Sequence, residues 1–513
     1  MADTAAQQST GSPVRETARG NRVLAWAGLI LGPAAFALLQ VLPAPDGLGA
    51  PGWAVAGVAV LMAVWWLTQA VPLAATALLP AILFPVLGIG SLGAATAPYA
   101  HPLIFLFLGG FVVALTIERW NLHRRIAITV IGIAGTGPGR LTGGFMAATA
   151  LLSMWVTNTA TVLMMLPIVV SVIAFVDTRS SLGEVKGEAK GEARGEAEAA
   201  AVDRFARGLL VAVAYAASIG GLATLIGTPP NAFLAGYMSQ TYNVEIGFGA
   251  WMLVGLPVSA VLLVFAWLLI SRFLYRAEGL PFADVRAGLA LERRKLGRAG
   301  RGERMTAVLF AALALAWVFQ PVLARFAPIT DTGIALAAAL AAFVLPVNIR
   351  EREFLLDWAH AVKLPWGILL LFGGGLSLAG AIDSTGLAAW LGEAMSVVGG
   401  FPVIAIFLLV AGFVIFLTEL TSNTATAAVF IPVAATLAGS LGMDPLLLAA
   451  PVALASSCAF MMPVATPPNA IVFSADRLTV MDMCRAGLLL NIAASIVIAC
   501  AAMYLVPLVW PAG

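Results

Sequence analysis

The sequence predicts an all-α polytopic membrane protein of about eleven transmembrane helices and two re-entrant hairpins, built as inverted repeats. Three observations predict it. The first is composition. Of 513 residues, 61% are hydrophobic and 11% charged, with mean hydropathy +0.97; soluble domains carry about 25% charged residues. Uncharged apolar runs recur at Val23–Val41, Trp53–Leu67, Leu103–Ile117, Met252–Ile270, Ala307–Leu323, Ala335–Val347, Trp366–Ile382 and Leu488–Val506. Each approaches or reaches the roughly 20 residues that cross a bilayer as a helix. None alternates as an outer-membrane barrel strand would.

The second observation is where the basic residues lie. Arg15, Arg19 and Arg22 precede the first run. Arg119, Arg124, Arg125 and Arg140 share one connection, and Arg179, Lys186, Lys190, Arg194, Arg204 and Arg207 the next. Nine lie from Arg272 to Arg304; Arg350, Arg352 and Lys363 form a group, as do Arg477 and Arg485. The positive-inside rule places all of these in the cytoplasm, leaving only Arg325 apart. The N-terminus is then cytoplasmic and the C-terminus outside. Residues 1–22 form a polar cytoplasmic tail without a cleavable-signal pattern. The net charge of +2 points to no nucleic-acid partner.

The third observation is an internal repeat. Thr157-Asn158-Thr159 returns as Ser422-Asn423-Thr424, with the asparagines 265 residues apart. Leu106-Phe-Leu-Gly109-Gly110 returns at the same spacing as Leu371-Phe-Gly-Gly374-Gly375. Gly227-Thr228-Pro229-Pro230-Asn231 returns as Ala465-Thr466-Pro467-Pro468-Asn469, 238 residues on. The difference, 27 residues, is close to the length of a charged insert that the second half lacks.

In chain order, residues 23–271 form the first half. His101 reads as interfacial at a span entrance. The ending Glu118-Arg-Trp-Asn-Leu-His-Arg-Arg125 reads as a helix leaving the membrane with snorkelling cations. The segment 143–173 lies between two basic groups, so both its ends face the cytoplasm. It is therefore a re-entrant hairpin with Thr157-Asn158-Thr159 at its tip. Residues 176–207 hold a Gly-Glu-Ala-Lys-like repeat and read as a mobile cytoplasmic loop. The helix at 209–238 is expected to run to Ile226 and break at Gly227–Asn231, because paired prolines interrupt a helix. A basic cytoplasmic linker, 272–304, separates the halves. Residues 305–513 carry the second hairpin, 401–437, and the second broken helix, 445–475. No Lys or Arg lies between Lys363 and Arg477, so this hairpin enters from outside and the halves are inverted. Cys458, Cys484 and Cys500 read as packing residues, with no disulfide or metal framework implied.

The candidate site lacks charge. Gly143–Ile173, Leu209–Met238 and Pro445–Ala475 contain none, and Phe401–Leu437 contains only Glu419. Glu419 is either a proton-titrating residue or a helix-packing one. What remains is hydroxyls, amides, freed carbonyls and helix ends. Hard oxygen ligands suit a hard cation such as sodium. An anion at mid-membrane with no Arg or Lys beside it would need bound cations for balance.

These motifs resemble the divalent anion:sodium symporter family. Ser456-Ser-Cys-Ala-Phe-Met-Met-Pro-Val-Ala-Thr-Pro-Pro-Asn-Ala-Ile-Val472 looks like that family's signature in full, and the likeness runs from about Trp53 to Val506. The resemblance implies a homodimer in the lipid bilayer of a bacterial-type inner (plasma) membrane, with a mobile body moving as an elevator.

 It implies sodium as a co-transported ion rather than a resident cofactor. Carried over by position, one sodium site would use Ser153, Thr157, Asn158 and the Gly227 backbone. The other would use Thr418, Thr421, Asn423 and the Ala465 backbone. The substrate carboxylates would meet Asn158, Thr159, Thr228, Ser422, Asn423, Thr424, Thr466 and Pro467. Thr157 departs from the family, which usually has Ser there.

The reading that follows is a sodium-coupled importer of C4-dicarboxylates such as succinate, malate and fumarate. Alternatives within the class are a sodium-independent dicarboxylate exchanger and a sodium-coupled sulfate or tricarboxylate transporter. An anion channel is the alternative from another class, but the basic residues lie in loops rather than in the hairpins. An intramembrane enzyme would need a metal cluster or a Ser-His pair, and His101, His123 and His360 lie near span ends or in loops.

Overall fold

The computed structural model describes residues 13–135, 137–185, 192–277, 293–394 and 400–511. Residues 1–12 of the expected tail and 278–292 of the expected linker lie outside them. Among the described residues, eight helices are long and apolar enough to cross a membrane. Shorter apolar helices, including Leu73–Val86 and Asp331–Val344, stand beside them. The one described strand pair is the small antiparallel hairpin of Pro346–Asn348 with Glu353–Phe354.

The repeat is visible element by element. Pro102–Arg119 corresponds to Trp366–Ser384. The hairpin arms Pro138–Ser153 and Asn158–Val185 correspond to Val403–Thr418 and Asn423–Ser440. The broken helix Glu192–Gly221 with Pro229–Tyr242 corresponds to Leu446–Ser456 with Pro467–Phe473. The closing helices Phe248–Leu268 and Val480–Cys500 each run into a π-helical turn, Leu269–Leu274 and Ala501–Leu505. Gly109 and Gly374 hold equivalent positions for one reason: a side chain on either would strike neighbouring backbone, that of Ala335 in the helix Asp331–Val344 or of Ala77 in a turn. Such small residues let membrane helices approach closely.

Four sequence expectations shift. Helix replaces most of the loop expected over 176–207: the hairpin's return arm extends to Val185 and the next helix starts at Glu192, leaving 186–191 outside the described residues. Ala, Glu, Lys and Arg are strong helix formers, and the charged repeat is rich in them. The first break covers Leu222–Thr228, ahead of the prolines, and the helix ends at Gly221 rather than Ile226. Pro229 and Pro230 open the next helix, because proline fits a first turn and instead disfavours helix in the residue before it. The second break, Ser457–Thr466, likewise precedes Pro467. The hairpin tips are short turns at Met154–Thr157 and Glu419–Ser422, so Asn158 and Asn423 already begin the return arms.

The basic ending at Arg119–Arg125 does more than snorkel. Arg119 pairs with Asp357 at 2.8 Å, the Trp120 indole donates to the Leu355 carbonyl at 2.8 Å, and Arg125 pairs with Glu303. Outside the spans, a hydrogen bond from His360 and the Arg119 charge hold the Asp357 carboxyl below its ordinary range.

Candidate ion and anion site

The two hairpins carry the same internal bond. The Ser153 hydroxyl donates to Asn158 Oδ1 at 2.7 Å, and the Thr418 hydroxyl donates to Asn423 Oδ1 at 2.9 Å. Both hydroxyls are fully buried. Each bond spans the tip, from the end of one arm to the first residue of the next. It turns the asparagine oxygen toward its own hairpin and fixes the side chain that opens the return arm. The first N–H groups of that arm have no partner within the helix. With the helix dipole they form a place suited to an anion.

The breaks are held by the last residue of each Thr-Pro-Pro-Asn. Asn231 Nδ2 donates to the carbonyls of Gly221 at 3.2 Å and Thr224 at 2.9 Å. Asn469 Nδ2 donates to the equivalent carbonyls, Ala459 at 3.3 Å and Met462 at 3.0 Å. The prolines remove two N–H groups from each half-helix, leaving its N-terminus with its dipole but fewer donors. The hairpin arms therefore keep more free N-terminal N–H groups than the broken helices do.

The first-half residues converge. A methyl group placed on Gly221 would stand 2.7 Å from Asn158 Oδ1 and 3.1 Å from the Gly227 carbonyl oxygen. Gly221 has no side chain to separate them, so Ser153, Asn158 and Gly227 form one cluster of oxygens. Among the described residues, no group of three His, Cys, Asp or Glu could hold a metal ion. The oxygens gathered here belong to hydroxyls, amides and backbone carbonyls, hard donors of the kind that suit sodium. In the second half, Thr418 also reaches the Ser456 carbonyl at 3.0 Å, tying Asn423 to the edge of its break. Ala465 is half-buried in that break, its N–H bonded to the Met462 carbonyl at 3.2 Å.

The other expected residues divide. Asn158, Thr159, Ser422, Asn423 and Thr424 are half-buried, and Pro467 is exposed. Thr228 and Thr466 are buried and already bonded within the protein. Thr228 shares a hydrogen bond with Ser457 at 3.0 Å, which joins the two breaks, and Thr466 accepts from the Asn469 N–H at 3.3 Å. Thr157 caps the first return arm, accepting from the Ala160 N–H at 3.4 Å. Thr421, in the tip turn, bonds back to the Leu417 carbonyl, 3.0 Å away, and shares a hydrogen bond with the Thr426 hydroxyl at 2.7 Å. Ser457, Asn231 and Asn469 were not among the residues expected to form the site. The second copy of the proline motif ends in Asn at the same spacing, and that was the signal available for the asparagines.

Three comparisons bear on this arrangement. The profile described as the sodium:sulfate symporter transmembrane region matches residues 24–510. The sodium-dependent dicarboxylate transporter SdcS of Staphylococcus saprophyticus is 39% identical over 488 residues, covering 94% of this chain and 91% of its own length. SdcS of Staphylococcus aureus strain USA300 is 39% identical over 490 residues, with the same coverage. Among solved structures, the Alcanivorax borkumensis YdaH transporter aligns with a TM-score of 0.55 at 13% identity, covering 96% of this chain and 98% of its own, a likeness of fold. Repeat, paired hairpins and matched residues agree: the chain belongs to the sodium:sulfate symporter family, the divalent anion:sodium symporters.

Proposed function

We propose that this protein is a sodium-coupled transporter that imports C4-dicarboxylates such as succinate, malate and fumarate. The observation that carries the reading is the duplicated hydroxyl-to-asparagine bond, Ser153 to Asn158 and Thr418 to Asn423, in hairpin segments, 143–173 and 401–437, that contain no Lys or Arg. The 39% identity to transporters named for sodium and dicarboxylate supports the ion and the substrate class.

Sodium is substrate here, not a resident cofactor. One ion would be held by Ser153, Thr157, Asn158 and the Gly227 carbonyl, and another by Thr418, Asn423 and the Ala465 carbonyl. Thr421 is a weaker candidate, because its hydroxyl already has two partners. The dicarboxylate would span the two return-arm N-termini, meeting Asn158, Thr159, Ser422, Asn423 and Thr424. Thr228, Thr466 and Pro467 would line the space between. Because segments 143–173, 209–238, 401–437 and 445–475 carry no Lys or Arg, bound sodium supplies the balancing charge, and each ligand strengthens the other.

The mobile body comprises the hairpins and broken helices. Its two halves are tied together by the Thr228–Ser457 bond at 3.0 Å. The remaining helices form a scaffold through which two copies pair, and the body moves against it as an elevator. The N-terminus lies in the cytoplasm and the C-terminus outside. The test is uptake of labelled succinate into proteoliposomes with and without an inward sodium gradient. Several-fold stimulation by sodium is expected; equal uptake with potassium alone would overturn the coupling.

A further inference from the structure

Glu419 follows Thr418 directly and is 4% exposed. Its Oε1 accepts from the N–H of Phe460 at 2.6 Å, the N–H of Met461 at 2.8 Å and the Asn491 amide at 2.8 Å. Its Oε2 accepts from the N–H of Met462 at 2.9 Å. All four partners are donors, the pattern of an ionised carboxylate. Three consecutive backbone amides converging on one anion make a nest of the kind that binds free anions, filled here by the protein's own side chain.

This carboxylate orients much of the second break. Three N–H groups of Ser457–Thr466 point at Glu419. Met462 is pinned from its other end as well, its carbonyl accepting from Asn469 Nδ2 at 3.0 Å and the Ala465 N–H at 3.2 Å. Glu419 thus acts on Ala465, a proposed sodium ligand, through Met462.

The first half solves the same problem without charge. The residue equivalent to Glu419 is Met154, and the residue equivalent to Met462 is Thr224. The Thr224 hydroxyl donates to the Met154 carbonyl at 2.5 Å and accepts from the Gly227 N–H at 3.1 Å. The same two repeat positions are tethered in both halves, one pair by a neutral hydroxyl and the other by a buried carboxylate. Burying a charge is expensive, and the neutral tether shows that holding a break does not require one.

We propose that Glu419 is the positioning residue of the second-half cation site. It fixes the Ser457–Thr466 break and gives that site a fixed negative charge that the first-half site lacks, so the second half binds sodium more tightly. The proposal rests on the sodium-coupled reading above. Its test is the sodium dependence of succinate uptake by full-length protein in proteoliposomes. Glu419→Gln should raise the half-saturating sodium concentration about ten-fold, with the maximal rate approached at high sodium. Glu419→Asp, which keeps the charge on a shorter stem, should recover most of that shift. A Glu419→Gln protein with wild-type half-saturation would overturn the proposal, as would an Asp variant no better than Gln. Should Glu419→Gln fail to fold, Asn491→Leu takes its place. It removes one of the four donors and should raise half-saturation about three-fold; an unmoved value overturns the proposal. Wild-type uptake without any sodium dependence would instead overturn the transport reading itself.

Discussion

The two hairpin tips carry the same internal bond but sit in different surroundings. At the first, Trp155 lies in an aromatic cluster. Its ring stands 4.9 Å from Phe310 edge-on, 5.9 Å from Phe248 and 6.5 Å from Trp317, and Phe248 and Trp317 stack at 4.2 Å. At the second, the equivalent residue is Leu420, 73% exposed. The breaks differ in the same sense. Ile226 in the first is 5% exposed, while its counterpart Val464 in the second is 53% exposed. What the halves share is the bonding inside each hairpin; what they do not share is the neighbour it rests on. Under the proposed elevator movement, features shared by the halves would serve both end states, and unshared seating would belong to the one state the structure describes.

The largest expected effect tests what is shared. Asn158→Ala and Asn423→Ala should each abolish sodium-driven succinate uptake, to below about a hundredth of wild type, while both proteins still purify as folded species. Each variant leaves the other half's bond intact, so equal losses mean that both halves are required at once. A loss confined to one variant would break the equivalence and assign ion and anion binding to a single hairpin.

Next is the unshared seat. Trp155→Ala removes three aromatic contacts, worth about 2 kcal/mol together. Uptake should fall about ten-fold and the thermal midpoint should drop. Leu420→Ala should leave uptake within about two-fold of wild type, since an exposed side chain has little packing to lose. Equal effects at the two positions would mean that the aromatic cluster is ordinary packing rather than a seat for the hairpin.

Much of this was legible from sequence because membrane embedding leaves few choices. Apolar runs, basic clusters and the 265-residue spacing of Asn158 and Asn423 led to the spans, the hairpins and the asparagines that open their return arms. Local helix boundaries were less accessible. Thr-Pro-Pro-Asn marks a break but not its extent, since proline disfavours helix before itself while opening the helix that follows, so Leu222–Thr228 was placed five residues late. The charged repeat near Ser180 read as a loop by composition, yet its Ala, Glu and Lys content favours helix. The Glu419 nest was hidden for a different reason. Its donors lie 41 to 72 residues away, and backbone N–H groups leave no mark on the sequence.

The smallest expected effect concerns one missing hydroxyl. In the second hairpin, Thr421 and Thr426 share a hydrogen bond at 2.7 Å. In the first, the equivalents are Val156 and Thr161, and the Thr161 hydroxyl is buried without a partner. Val156→Thr is nearly isosteric and supplies that partner, so it should stabilise the protein by about 1 kcal/mol, read as a higher thermal midpoint with uptake retained. Thr421→Val does the reverse, leaving Thr426 buried and unpaired at a cost of about 1 to 3 kcal/mol. The pair also decides what Thr421 does. If its hydroxyl only completes this bond, Thr421→Val lowers the midpoint equally with and without sodium. If it ligates sodium, the half-saturating sodium concentration rises as well. A gain of stability in Val156→Thr beside an unmoved sodium dependence in Thr421→Val would make the hydroxyl pair a packing difference between the hairpins and take Thr421 out of the site.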